Sequence, residues 1–161
     1  MNSQTYIDTT IFTHNRRRGW EQYQHSSGLI IVTSQFEEAL LVQRSRFTSY
    51  AGFWSIPGGY RNRDKSGLEP SLECAVAETF EEIGGLPEGK IRLNPHKIIK
   101  IFGKTYETFV LEINAEERKR FIPHVNDPYE INACEWHQIQ GLTEKTKIHP
   151  GLKQFLREYK F

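Results

Sequence analysis

Three glutamates, Glu78, Glu81 and Glu82, in the string Ala77-Glu78-Thr79-Phe80-Glu81-Glu82-Ile83, have the residue types and spacing for metal-assisted chemistry. On a helix, spacings of three and four residues bring Cβ atoms to about 5–6 Å, where like charges destabilise the helix unless a cation sits between them. Carboxylate oxygens are the donors magnesium prefers, and magnesium keeps several of its own waters. A cation so held can neutralise phosphate oxygens and activate water. Opposite the acids, Leu72, Val76, Thr79, Phe80 and Ile83 recur at roughly 100° per residue and form an apolar stripe. Upstream, Pro57 stops a strand and Gly58-Gly59 permits backbone that side chains forbid, exposing carbonyls to a ligand. Downstream, Gly84 and Gly85 are expected as left-handed caps, and Pro87 prevents the helix from resuming.

That helix needs a scaffold. Residues 29–32 and 39–42 are apolar runs flanking a polar tract, a strand, turn, strand signature. Residues 97–102 and 105–113 are two more strands joined at Gly103-Lys104, with side chains alternating along the second. Residues 115–121 allow one or two helical turns, residues 131–139 a strand containing Trp136, and residues 151–159 a terminal helix with Leu152, Phe155 and Leu156 inward. The first 27 residues are polar, and Arg16, Arg17 and Arg18 fit a solvated turn. A mixed sheet covered by helices, in the α/β or α+β class, is the expected architecture.

With 161 residues, the chain is expected to form one domain, residues 1–161, with enough material for a core. Its 21 basic and 20 acidic residues nearly cancel, so no global field draws in DNA or an anionic membrane. No apolar run reaches the length of a membrane span, and the N-terminus lacks a basic segment followed by an apolar one. Cys74 and Cys134 form no C-x-x-C pair, which suits thiols in a reducing compartment. The expectation is a soluble cytoplasmic protein. The six histidines show no ligand spacing, and no serine or cysteine sits in a nucleophile elbow.

The string from Gly59 to Leu86 resembles a Nudix box, whose pattern is Gly, five residues, Glu, seven residues, then Arg-Glu-U-x-Glu-Glu-x-Gly-U with U aliphatic. Glu69, Glu78, Glu81, Glu82 and Gly84 stand in the register of that pattern. The preceding 53–59 segment and the Leu40-Leu41-Val42-Gln43-Arg44 string also resemble the approach to the box. Three departures stand out. Residues 60–68 insert four extra positions, Ala77 replaces the arginine, and Thr79 and Gly85 replace aliphatic residues.

The resemblance implies an α/β/α sandwich with a mixed sheet and magnesium-dependent hydrolysis of a pyrophosphate linkage in a nucleoside diphosphate derivative, with manganese as a substitute. It maps Glu78 and Glu82 onto catalytic positions and Glu78, Glu81 and Glu82 onto metal-binding ones. The Gly58 carbonyl and Glu130 are further candidate metal ligands. Arg44, Arg46, Arg61 and Arg63 are candidates for holding phosphate, and Tyr50, Phe53 and Trp54 for stacking a base. Two alternatives stand beside this one. A nucleotide-binding module with impaired catalysis would follow from Ala77 and the inserted loop, whereas in the enzyme Arg61, Arg63 or Lys65 from that loop would substitute for the missing arginine. An RNA 5′-end pyrophosphohydrolase would use Arg16 to Arg18 and the 61–65 segment as an RNA path.

Overall fold

The computed structural model describes residues 4–5, 25–64, 66–101 and 103–159. Arg16 to Arg18 and Lys65, and with them most of the expected RNA path, lie outside the described residues. The order is β1 (Gln4–Thr5), β2 (His25–Thr33), β3 (Glu38–Arg44), β4 (Trp54–Ser55), β5 (Gly58–Tyr60), β6 (Arg63–Asp64), β7 (Gly67–Leu68) and α1 (Ser71–Ile83). There follow β8 (Lys90–Ile101), β9 (Lys104–Ile113), α2 (Ala115–Arg120), β10 (Ile131–Gln138), a 3-10 turn at Leu142–Glu144, and α3 (Pro150–Glu158).

The main sheet runs β1-β8-β9-β2-β3-β10, with β4 paired to β3 and β5 paired to β2. It is mixed, since β2 and β9 pair in parallel from His25↔Thr105 to Thr33↔Ile113 while its other ladders are antiparallel. Alternation along the central strands sorts the core into two layers. Leu29, Ile31, Leu40, Val42, Phe109 and Leu111 share one cluster with Ala75 and Ile83 of α1. Ile30, Val32, Ala39, Leu41 and Val110 share the other with Leu152 and Phe155 of α3. The sheet is thus covered on both faces, giving the α/β/α sandwich.

Strands β2 and β3 are neighbours in sequence, yet they pair only at Ile31↔Leu40 and Val32↔Ala39. Toward the start of β2 the two diverge, and β5 takes the place of β3 through Ser26↔Tyr60, Ser27↔Gly59 and Gly28↔Gly58. Meanwhile β3 pairs with β4 at Val42↔Ser55 and Gln43↔Trp54. The sheet splits at this point. The split is possible because Gly58 and Gly28 carry no Cβ: one at Gly58 would lie 2.6 Å from the Ser27 carbonyl oxygen and 2.8 Å from the Gly28 Cα.

At the end of α1, Gly84 adopts φ +80° and donates its N–H to the Phe80 carbonyl, as a left-handed cap should. Gly85 is not in the left-handed region, so the expected pair of such caps reduces to one. The 60–68 insertion folds into a small hairpin of β6 and β7, paired at Arg63↔Leu68 and Asp64↔Gly67. No disulfide joins the cysteines: Cys74 is buried in α1, with Sγ 3.6 Å from the Gly59 and Tyr60 carbonyls, and Cys134 is half-buried on β10. Among the described residues, no helix is long and apolar enough to cross a membrane.

Candidate active site

Helix α1 buries more than its apolar stripe. Cys74, Ala75, Val76, Ala77, Glu78, Thr79, Glu82 and Ile83 are all buried, so two of the three acids leave the solvent with the rest. Glu78 and Glu82, one turn apart, are 6% and 5% exposed. Glu81 is exposed and lies beside them rather than with them. The acidic stripe expected from spacing is therefore divided by the way the helix sits on the sheet.

The Glu78 carboxylate packs against the backbone of β5: a Cβ on Gly59 would lie 2.5 Å from its carboxyl carbon. Glu82 accepts a hydrogen bond from the Gly58 N–H, which draws its carboxyl pKa down. Arg44 acts in the same direction, but burial first, then the charges of Glu78 and Glu130, hold the Glu82 carboxyl well above the usual range. Three carboxylates thus converge with one arginine beside them. Gly58 meets the acids through its N–H.

Glu130 reaches this place because the segment before β10 crosses the end of α1. The Asn126 N–H donates to the Glu82 carbonyl at 2.8 Å, its side-chain amide to the Glu81 carbonyl at 2.9 Å, and the His124 N–H to the Ile83 carbonyl at 3.3 Å. These bonds satisfy carbonyls that the last turn of a helix leaves open. The Ser45 N–H then donates to the Glu130 carbonyl at 2.9 Å, and the Ser45 hydroxyl to that of Tyr129, tying the segment to the end of β3.

A cavity of about 260 Å³ opens at the sheet split. Glu78, Glu130, Arg44, Gly58 and Gly59 line it on one part, and Tyr60, Tyr106, Thr108 and His149 on another. The Arg44 guanidinium is aimed by the 45–53 loop, with Nε donating to the Ser49 carbonyl at 2.6 Å and an Nη to the Ser49 hydroxyl at 3.3 Å. The other candidate arginines are elsewhere. Arg46 stacks its guanidinium on the exposed Phe47 ring at 4.8 Å, and Arg63 lies exposed on β6. Arg61 donates from Nε to the Glu69 carbonyl at 2.7 Å. With the Glu69 N–H on the Asn62 carbonyl at 2.6 Å and the Asn62 N–H on the Glu69 carboxylate at 3.1 Å, the inserted hairpin grips Glu69 mainly by backbone. Ala77, where an arginine was expected, is 7% exposed.

Of the aromatic candidates, Trp54 belongs to the core beside α3 and packs on the His137 ring at 4.4 Å. Tyr50 meets Phe53 at 5.5 Å and His149 at 4.8 Å, both edge-on. Tyr106 and His149 were not singled out by the sequence. His149 precedes Pro150 and caps α3 with its ring, an N-cap for which histidine carries little statistical signal. Burial first, then Arg44, pull its pKa from 6.5 down to about 4. An imidazole kept neutral in the fold costs nothing above 6.5, and stability is lost as pH falls from there toward 4. That fall corresponds to ~3 kcal/mol. His149→Asn is therefore expected to flatten the acid limb of the stability profile, as measured by urea unfolding between those pH values.

The acids offer only oxygen, and their crowding raises the cost of charge, which is the setting a hard divalent cation relieves. Among the described residues no three such side chains are already gathered into an ion cage. Magnesium, which retains waters, does not need one.

Several proteins resemble this one. The m7GpppN-mRNA hydrolase of Saccharomyces cerevisiae is 30% identical over 129 residues, 80% of this chain but 12% of that protein. This chain thus spans about an eighth of that relative's length. Among solved structures, a Caenorhabditis elegans Ap4A hydrolase binary complex superposes with a TM-score of 0.62 at 20% identity, covering 83% of this chain and 93% of that one. The MutT protein of Methanosarcina mazei gives 0.59 at 22% identity, covering 86% and 94%. The family model described as the NUDIX domain matches residues 23–159, and the chain belongs to that family.

Proposed function

We propose that the protein is a pyrophosphohydrolase that cleaves the diphosphate linkage of a nucleoside diphosphate derivative. The observation that carries this reading is the convergence of Glu78, Glu82 and Glu130, with Arg44 beside them, where the sheet splits. Glu82, Glu78 and Glu130 would hold magnesium, or manganese in its place, and Glu81 would join only from the helix rim. Bound there, the cation supplies charge neutralisation for the phosphate oxygens and a more acidic water.

The chain's own groups do the rest. Glu78, held against the Gly59 backbone, accepts the proton of the attacking water. Arg44, fixed by Ser49, offers a guanidinium to the phosphate and so orients it. The Gly58 N–H holds the Glu82 carboxylate beside Glu78 and Glu130. Family membership and the retained box acids support the enzyme over a module that has lost catalysis.

A panel of nucleoside triphosphates, nucleotide sugars, ADP-ribose, dinucleoside polyphosphates and short capped RNA, assayed with magnesium, is expected to contain at least one hydrolysed compound. Silence across the panel would instead mark a binding module. The likeness to an mRNA-cap hydrolase gives the RNA arm a specific motive. A steep fall in RNA affinity with salt, against a shallow one for small nucleotides, would identify RNA as the substrate.

A further inference from the structure

His149 is anchored more firmly than the cap of one short helix requires. Its backbone N–H donates to the Trp54 carbonyl at 2.8 Å, and its Nδ1 accepts the Gly151 N–H at 3.1 Å. Its ring lies edge-on to Tyr50 at 4.8 Å and 69°, and to Tyr106 at 5.7 Å and 61°. Because Nδ1 is an acceptor, the proton of the neutral ring resides on Nε2. Among the described residues the hydrogen bond made by the ring runs through Nδ1, which leaves Nε2 for a ligand, and the ring lines the cavity. A single N–H donor, fixed in direction, therefore faces the space beyond Arg44.

We propose that His149 reads the nucleobase of the substrate, its Nε2–H donating to an uncharged ring nitrogen or carbonyl of a planar heterocycle. The acids and His149 share Arg44 as a charged neighbour. Phosphates held at the acids and Arg44 place whatever they carry toward His149. A phosphate oxygen is better met by a cation, and the imidazole is kept uncharged by burial. The surrounding surface is aromatic, with Tyr106 and Tyr60 lining the cavity and Lys104 at 3.4 Å from the Tyr60 hydroxyl. Flat rings with in-plane acceptors suit such a wall.

This inference rests on the nucleotide part of the proposed function, and its test needs no bond to be cleaved. The α,β-methylene analogues of ADP, GDP, CDP and UDP, and methylenediphosphonate as a base-free probe, are titrated calorimetrically with magnesium into the full chain. Asparagine at the cap still accepts from Gly151 but leaves nothing at the Nε2 position, whereas glutamine returns an amide N–H there. The wild-type protein is expected to bind at least one nucleoside analogue about tenfold more tightly than the base-free probe. His149→Asn should erase that factor, leave the base-free affinity within about twofold, and be reversed in large part by His149→Gln.

Equal losses on both kinds of probe, no loss at all, or no preference for any nucleoside analogue would overturn the proposal. Should the asparagine variant not fold, nitrogen NMR of the wild-type imidazole carries the test. The nucleoside analogue must move the Nε2 resonance of His149 and the base-free probe must not; the reverse overturns it. Failure of the hydrolase panel with this contrast intact would leave a nucleotide-binding protein, so the two outcomes are separable.

Discussion

Glu82→Gln is expected to lower turnover of the best panel substrate by about 10³-fold, the scale on which removal of one preorganised electrostatic group acts. The amide keeps the shape of the side chain and its oxygen still accepts the Gly58 N–H, so the loss isolates the charge. Stability should move the other way. In the metal-free protein the Glu82 carboxylate is buried beside Glu78 and Glu130, and replacing a desolvated like charge by a neutral group is expected to add about 1 kcal/mol. Urea unfolding without metal, set beside kcat with magnesium, separates the two effects. A fully active variant would remove Glu82 from the mechanism, and an inactive variant with lowered stability would reduce the acid to a structural role.

Gly59→Ala tests how closely Glu78 must be held. The added Cβ meets only the end of the Glu78 side chain, which can turn aside at modest cost to the fold. A shift of the order of 1 Å in a group that positions the reaction can cost about 10²-fold, so kcat should fall by that factor while the urea midpoint barely changes. Gly58→Ala is the informative contrast. There the new carbon meets the Ser27 carbonyl at 2.6 Å and the Gly28 Cα at 2.8 Å, backbone that cannot step aside without opening the β2–β5 ladder. A loss of about 2–3 kcal/mol in stability is expected at Gly58. Equal behaviour of the two variants would mean that Glu78 is not braced by the Gly59 backbone.

Much of the fold was legible because it follows from local periodicity. The unbroken apolar runs at residues 29–32 and 39–42 report two buried faces, and the structure has a helix over each. The box helix ends at Gly84, as the glycine signal implied. Strand pairing was less legible. Nothing in the runs before and after the 34–38 turn distinguishes a full hairpin from one that opens after two residue pairs to admit β5. The partners in such a split are distant in sequence, and their register depends on close backbone approach at Gly28 and Gly58.

By itself, the sequence determined the acids, their register with the box glycines, and the absence of the arginine at Ala77. Helical spacing is a local property, so Glu78, Glu81 and Glu82 had to lie near one another on one helix. Only the tertiary structure decided that Glu78 and Glu82 turn inward while Glu81 stays out, because burial is set by what packs on the helix rather than by its own sequence. It also brought Arg44, at the end of β3, and Glu130, in the turn before the adjacent β10, to the acids, and His149 and Tyr106 to the far part of the cavity. Those groups come from segments more than a hundred residues apart in places, and no spacing rule spans such a distance.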